Sequence, residues 1–270
     1  MYEEYWGVTE PPFSLTPNPK FLYLSEKHAN CLTMLEYTVT RNKGAGMITG
    51  EAGSGKTTLS RALLSRLDPS KFEIAMIVNP NLTPNQLLAE ILDQFGCDSI
   101  PRQKRELVNR LNSLLLNLYR NGKKGVLVLD EAHLVRSRLT FEEIRMLLNF
   151  QLQDEFLLTL LLLGQPELRS RIEKIEALKQ RLAVRYNLES LSRQEMEEMV
   201  RFRLKAAWYM GGDIFLPEAY DEMFAYSKGV PRITCEIADN AMIFGMLKGV
   251  RQIDGVLMHE VIMDFEGKEW

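Results

Sequence analysis

Cysteine is scarce. The three in this chain, Cys31, Cys97 and Cys235, stand too far apart to form a pair at metal-ligand or redox spacing, which argues against zinc and for reduced, buried thiols. Long apolar runs are also missing. Leu157 to Leu163 is the longest strongly apolar stretch, far below the roughly 20 residues that cross a bilayer, and a run of that length suits a buried strand. The first residues, Met1-Tyr2-Glu3-Glu4-Tyr5-Trp6, are acidic and aromatic and lack the basic-then-apolar order of a secretory signal, so a cytoplasmic location is expected. Excess charge of one sign is lacking too: the net charge is −3 and the pI about 5.8, which removes the simplest basis for tight nucleic-acid binding by the isolated chain. What remains, 46% hydrophobic and 26% charged over 270 residues without a repeat or a low-complexity tract, is enough for one large α/β domain and a smaller second one.

The middle of the chain alternates short apolar runs with helical patterns, as a parallel sheet covered by helices does. Five strands are predicted: Ala45 to Thr49, Glu73 to Asn79, Gly125 to Asp130, Leu157 to Leu163 and Val184 to Leu188. Leu59, Leu63 and Leu67 mark a helix after the first of them. Thr83-Pro84-Asn85-Gln86 is a capping box that opens a helix carrying Leu87, Leu88, Ile91, Leu92 and Phe95. Leu107, Leu111, Leu114 and Leu118 mark another helix, and Thr140 with Glu143 reads as a second capping box. After the fifth strand, Ser192-Arg193-Gln194-Glu195 opens a run of helices without further strands, predicted over Pro217 to Ser227, Pro231 to Leu247 and Gly255 to Phe265.

Gly50-Glu51-Ala52-Gly53-Ser54-Gly55-Lys56-Thr57 satisfies G-x4-G-K-[ST] in full, between an apolar strand and an amphipathic helix. Glycines let backbone N–H groups turn inward around phosphates, and the helix start adds its positive end. Lys56 is expected on the β- and γ-phosphates, and Thr57 on Mg²⁺. Val126 to Leu129 followed by Asp130-Glu131 is an apolar strand ending in two carboxylates, at the strand end where open α/β sheets place their sites. Asp130 is expected to hold the Mg²⁺ shell and Glu131 to polarise the attacking water, so ATP and Mg²⁺ are the expected ligands. Asp130-Glu131-Ala132-His133 also spells a helicase motif, but the small helical region after the fifth strand leaves no room for a second motor domain. No [NT]-K-x-D segment speaks for guanine. His133 itself reads as a hydrogen-bonded loop residue.

With these motifs located, the chain resembles the AAA+ ATPases of the general secretion pathway A type over nearly its whole length. The resemblance rests on Trp6-Gly7, Pro12-Phe13-Ser14-Leu15-Thr16-Pro17-Asn18-Pro19 and Phe21-Leu22-Tyr23-Leu24-Ser25, with Asn18 where an aspartate is usual. It rests also on the loop from Gly50 through Thr58, on Gly164-Gln165-Pro166-Glu167-Leu168 and on Gly229-Val230-Pro231-Arg232. The chain is similar as well to AAA+ ATPases that serve transposition and to a branch-migration motor of recombination. The resemblance implies an α/β P-loop AAA+ fold: a five-stranded parallel sheet with helices on both faces, in strand order 5-1-4-3-2, followed by a small helical lid. It implies a nucleotide-binding domain with an N-terminal linker over residues 1–190 and the lid over 191–270.

The same resemblance implies roles for single residues. Gln165 matches the sensor-1 position, and Arg232 the sensor-2 position that reaches from the lid to the nucleotide phosphates. Gln180-Arg181-Leu182 looks like the segment whose arginine acts on the ATP of a neighbouring subunit; Arg181 is the first choice, with Arg171 and Arg185 left open. Pro12, Phe13 and Leu15 are expected near the adenine. Assembly into a homo-oligomeric ring or filament is implied, serving a secretion or cell-envelope machine through protein contacts. The alternative is a DNA-associated ATPase of the transposition or recombination regulator type, in which Arg136 and Arg138 meet phosphates. DNA binding by so acidic a chain is then expected to be weak, nucleotide-dependent and salt-sensitive. The secretion member of the family carries a membrane span and a peptidoglycan-binding region after its ATPase; the resemblance covers the motor alone, and no membrane span is expected here.

Overall fold

The computed structural model describes residues 2–16, 18–153 and 155–267. Pro17 of the amino-terminal motif lies outside them. The chain divides into two compact units: a sheet unit of Lys27–Gly50 and Leu59–Leu188, and a helical unit that gathers the residues up to Glu26, Glu51–Thr58 and the chain from Glu189 onward.

In chain order the helices are α1 (Tyr2–Trp6), α2 (Glu26–Thr40), α3 (Lys56–Arg66), α4 (Pro84–Gln94), α5 (Lys104–Arg120), α6 (Arg138–Leu147), α7 (Glu167–Glu173) and α8 (Glu176–Lys179). They continue with α9 (Arg193–Ala206), α10 (Pro217–Ser227), α11 (Pro231–Leu247) and α12 (Gly255–Phe265). The strands are β1 (Ala45–Gly50), β2 (Phe72–Ile77), β3 (Lys124–Leu129), β4 (Gln151–Leu152), β5 (Glu155–Phe156), β6 (Leu158–Gly164) and β7 (Leu182–Leu188).

The main sheet has five parallel strands in the order β2-β3-β6-β1-β7, which is the expected 5-1-4-3-2 read from the other side. Its three central strands are apolar almost throughout because both faces are covered. Alternate side chains serve opposite faces. Met47, Leu127, Leu129, Leu160 and Leu162 join Leu87 and Ile91 of α4, Leu107 of α5 and Ile144 of α6 in one core. Ile48, Val126, Val128, Leu161 and Leu163 meet Leu32 and Leu35 of α2 and Leu59 and Leu63 of α3 in the other. The edge strand β7 buries only Leu182 and Leu188, and its sequence is accordingly mixed.

The capping box at Thr83 is present in full, with Thr83 Oγ1 accepting from Gln86 N and the Gln86 side chain accepting from Thr83 N. Thr140 and Glu143 do not form one. Helix α6 begins earlier, at Arg138, so both residues lie inside it: the Thr140 hydroxyl donates to Leu82 O at 2.9 Å, and Glu143, nearly buried, pairs with Lys104 at 2.5 Å. On α5 the fully buried stripe is Leu107, Leu111 and Leu115, with Leu114 and Leu118 at its margins.

The helical unit combines α9 to α12 with the amino-terminal segment. Ser192 caps α9 as expected, through a complete box with Glu195. The amino-terminal residues, read from the sequence as a linker to the sheet domain, contribute Tyr2, Trp6, Val8, Phe13 and Phe21 to this unit's core. The Trp6 indole N–H donates to Met242 O at 2.8 Å, and its ring lies where a Cβ at Gly245 would come within 2.7 Å of it. The Tyr2 hydroxyl donates to Asp239, and the Tyr5 hydroxyl to Val250 O at 2.6 Å. Phe13 packs edge-to-face on Phe215 at 6.2 Å and is 1% exposed, so its ring serves the core and is not a surface for adenine. Among the described residues no helix is long and apolar enough to cross a membrane.

Candidate active site

Because the strands of the main sheet are parallel, β1, β3 and β6 all deliver their carboxyl ends to one edge, with β6 between the other two. Gly50, Asp130 and Gln165 are the residues at which the chain leaves that edge. This is the edge at which such sheets bind ligands.

From Gly50 the chain runs through the glycine loop into α3, which begins at Lys56. Gly53 and Gly55 take φ values of +80° and +98°, a region that residues with a Cβ rarely enter. At Gly53 a side chain is excluded by contact as well, since a Cβ would stand 2.7 Å from Arg232 Cβ and 3.2 Å from Val230 Cγ1. The Arg232 N–H donates to Gly53 O at 3.3 Å, so the loop lies flush against the first turn of α11. Lys56 is 4% exposed, and its ammonium donates to Glu51 O at 2.8 Å and to Ser54 Oγ at 3.5 Å. A buried cation inside a loop whose glycines open its N–H groups, at the start of a helix, fits the phosphates of a nucleotide. Thr57 and Thr58 follow in the first turn of α3, both half-buried.

At the end of β3, Asp130 is 1% exposed, and its Oδ1 accepts the Glu131 N–H at 2.9 Å. Glu131 takes a left-handed conformation, φ 52° and ψ 35°, which costs a residue with a Cβ about 1–2 kcal/mol. The 3₁₀ turn Ala132–Leu134 follows and brings His133 back toward the strand ends. His133 Nδ1 accepts the Gln165 N–H at 3.3 Å and lies 3.1 Å from Glu131 Oε2. One ring nitrogen cannot accept from Gln165 and donate to Glu131 at once. With Nδ1 taken as acceptor, the buried Oε2 has no hydrogen-bond donor among the described residues. An unsatisfied carboxylate oxygen held in a strained turn is suited to accept from a water molecule. The carboxylate of Asp130 is an oxygen donor of the hard kind that Mg²⁺ prefers. His133 is thus brought together with Glu131 and Gln165, a grouping that the sequence, 32 residues apart between His133 and Gln165, did not disclose. Gly164 permits it: a Cβ there would stand 3.1 Å from His133 N.

The three candidate arginines differ. Arg171 Nη1 donates to Val135 O at 2.6 Å and Arg185 Nη2 donates to Lys179 O, whereas Arg181 Nη1 is buried without a hydrogen-bond partner among the described residues. Arg232, the second residue of α11, has a side chain 64% exposed and pairs along the helix with Glu236 at 3.3 Å.

Two similarities in sequence bear on this arrangement. A family model described as the AAA domain matches residues 39–172, from the end of α2 to α7, and so includes the glycine loop, Asp130, Glu131 and Gln165. Over 260 residues, 94% of the chain, it is 40% identical to general secretion pathway protein A of Aeromonas hydrophila. The chain belongs to the AAA+ family. It spans 46% of that relative's length. Among solved structures, the ORC2 protein of Aeropyrum pernix in its ADPNP–ADP complexes superposes with a TM-score of 0.71 at 18% identity, covering 94% of this chain and 71% of that one. The RuvB Holliday junction branch migration motor of Thermotoga maritima gives a TM-score of 0.60 at 20% identity, covering 89% and 69%. Identities this low speak to the AAA+ fold alone.

Proposed function

We propose that the chain binds ATP with Mg²⁺ and hydrolyses it, working in the cytoplasm as an oligomeric motor or switch for a secretion or cell-envelope assembly system. The observation that carries the reading is the glycine loop closed around the buried Lys56 ammonium at the start of α3. The loop from Gly50 to Thr58 holds the phosphates through its N–H groups, and Lys56 neutralises them. Thr57 and Asp130 hold Mg²⁺, which when bound supplies further neutralisation of phosphate charge. Glu131 accepts a hydrogen bond from the attacking water, Gln165 orients that water or the γ-phosphate, and Arg232 senses the phosphates. Arg181, by resemblance, acts on the ATP of a neighbouring copy. The ORC2 neighbour's ADPNP–ADP complexes support nucleotide binding, and similarity to general secretion pathway protein A supports the cellular setting.

Nucleotide titration and phosphate release test the chemistry. Lys56→Ala abolishes ATP binding, whereas Glu131→Gln keeps affinity and loses turnover by roughly 10²–10⁴-fold, the usual worth of a general base. Equal loss of affinity in both variants overturns these roles. A second reading, an ATPase that works on DNA as a transposition or recombination regulator, is favoured by one surface feature of the sheet unit.

A further inference from the structure

That feature is a cavity of about 280 Å³ lined by Arg136, Arg138, Arg171 and Lys174, with Phe141 and Ile175 as its apolar part. Its cations come from two places in the chain, the segment that leads from β3 into the first residue of α6 and the helix α7 with the residue after it, so the cluster is a product of folding and not a basic run. Among the described residues none of the four forms an ion pair with a carboxylate. The same two helices do neutralise their other arginines: Arg145 pairs with Glu142 at 2.7 Å on α6, and Arg169 with Glu173 at 3.1 Å on α7. Glu142 and Glu173 are thus engaged by other arginines, and among the described residues that line the cavity there is no carboxylate. Arg171 is fixed in place by its bond to Val135 O, which leaves the remaining N–H groups of its guanidinium oriented in advance. In a chain of net charge −3, four uncompensated cations around one concavity repel one another until an anion enters.

We propose that this cavity takes phosphate groups of a nucleic-acid backbone. Three of the four cations are arginines, whose planar forks match phosphate oxygens two at a time, while Lys174 adds a point charge. Leu139, next to Arg138 and 71% exposed, offers an apolar contact beside the phosphates, suited to the sugar edge of the same strand. The site binds without regard to base sequence, because nothing in it reads base edges. It is independent of the ATP-binding assignment and stands or falls separately.

The experiment is fluorescence anisotropy of a labelled duplex of mixed sequence with the full chain, with and without a non-hydrolysable ATP analogue, at several salt concentrations. The variant Arg136→Ala/Arg138→Ala/Lys174→Ala removes three cations and leaves Arg171 to hold Val135. Each lost phosphate contact lowers the slope of log affinity against log salt by about 0.9, so the slope falls by about 2 to 3 and affinity at low salt by at least about 10-fold. Analogue binding by the variant, measured by titration, stays within about 2-fold, which separates this result from damage to the glycine loop. Charge-preserving Arg136→Lys/Arg138→Lys retains most of the slope, which separates lost charge from lost fold. The proposal is overturned if the triple variant keeps the wild-type slope, if the wild type shows no salt-dependent binding in any nucleotide state, or if polyglutamate competes as well as unlabelled duplex. The last result assigns the cavity to an acidic protein surface. Loss of concentration-dependent ATP turnover with DNA binding intact also overturns it, and assigns the cavity to a contact between copies.

Discussion

Replacing Gly229 by alanine tests how the helical unit presents the Val230-Pro231-Arg232 turn. Gly229 has φ +74°, and a Cβ added there would stand 1.9 Å from Leu191 O and 2.9 Å from Leu191 C. The obstacle is backbone, so no side chain can swing aside. Left-handed geometry alone costs alanine about 1–2 kcal/mol. Clearing the overlap moves the 228–230 turn away from Leu191 and breaks the bond from Leu191 N to Gly229 O, 2.9 Å long, at a cost of about 1–3 kcal/mol for a buried pair left unsatisfied. The expected loss is therefore about 2–5 kcal/mol, a large part of the roughly 5–15 kcal/mol that holds a domain folded. Urea unfolding followed by tryptophan emission reports on this unit through Trp6, which is 5% exposed in its core. Gly229→Asn separates the two causes, because asparagine tolerates left-handed backbone but still carries the Cβ. It should recover only the conformational part. A loss below about 1 kcal/mol in the alanine variant, or an asparagine variant as stable as wild type, refutes the argument from backbone contact.

Other outcomes follow from the same geometry. If Arg181 acts across subunits, Arg181→Ala binds ATP as wild type does and hydrolyses it poorly, and mixing it with Lys56→Ala restores part of the activity; a co-assembled mixture that stays inactive removes the assignment. Trp6→Ala deletes a buried ring and its bond to Met242 O and lowers the stability of the helical unit by about 3–5 kcal/mol in a urea assay followed by circular dichroism; an unchanged midpoint contradicts its place in the core. Burial pushes the Cys31 thiol up to about 12 and Cys235 up to about 11, so both stay protonated and enclosed at pH 8. Thiol titration of the folded protein with a chromogenic disulfide should then register Cys97 promptly and the other two only on unfolding, and prompt reaction of Cys31 refutes the packing around α2.

What the sequence disclosed and what it withheld divide by the range of the interaction. The glycine loop, the apolar strands and the capping boxes at Thr83 and Ser192 depend on neighbours within a few residues, and each was readable in place. Thr140 and Glu143 had the spacing of a box, but their partners, Leu82 and Lys104, are supplied by other elements, and that competition is invisible locally. His133 looked like a loop residue because its contacts arise only when β3 and β6 lie side by side. The core that the amino-terminal aromatics join was not legible, since nothing near Trp6 in the sequence points to Met242 or Gly245. The cavity cations were half visible: Arg136 and Arg138 stood out, while Arg171 and Lys174 join them only through the packing of α7 on the turn after β3.

The helical unit's dependence on segments far apart in sequence has a consequence for how the protein is made. Tyr2 and Trp6 are separated from Asp239 and Met242 by 237 and 236 positions. At roughly 5–20 residues per second, the ribosome needs on the order of ten to fifty seconds to deliver those partners. Throughout that interval the strands and helices up to Leu188 can assemble around their own two cores, while the segment around Tyr2 and Trp6 trails as an unburied aromatic stretch. A segment synthesised before the whole sheet unit thus finds its place after it, and it is a stretch a chaperone would be needed to shield.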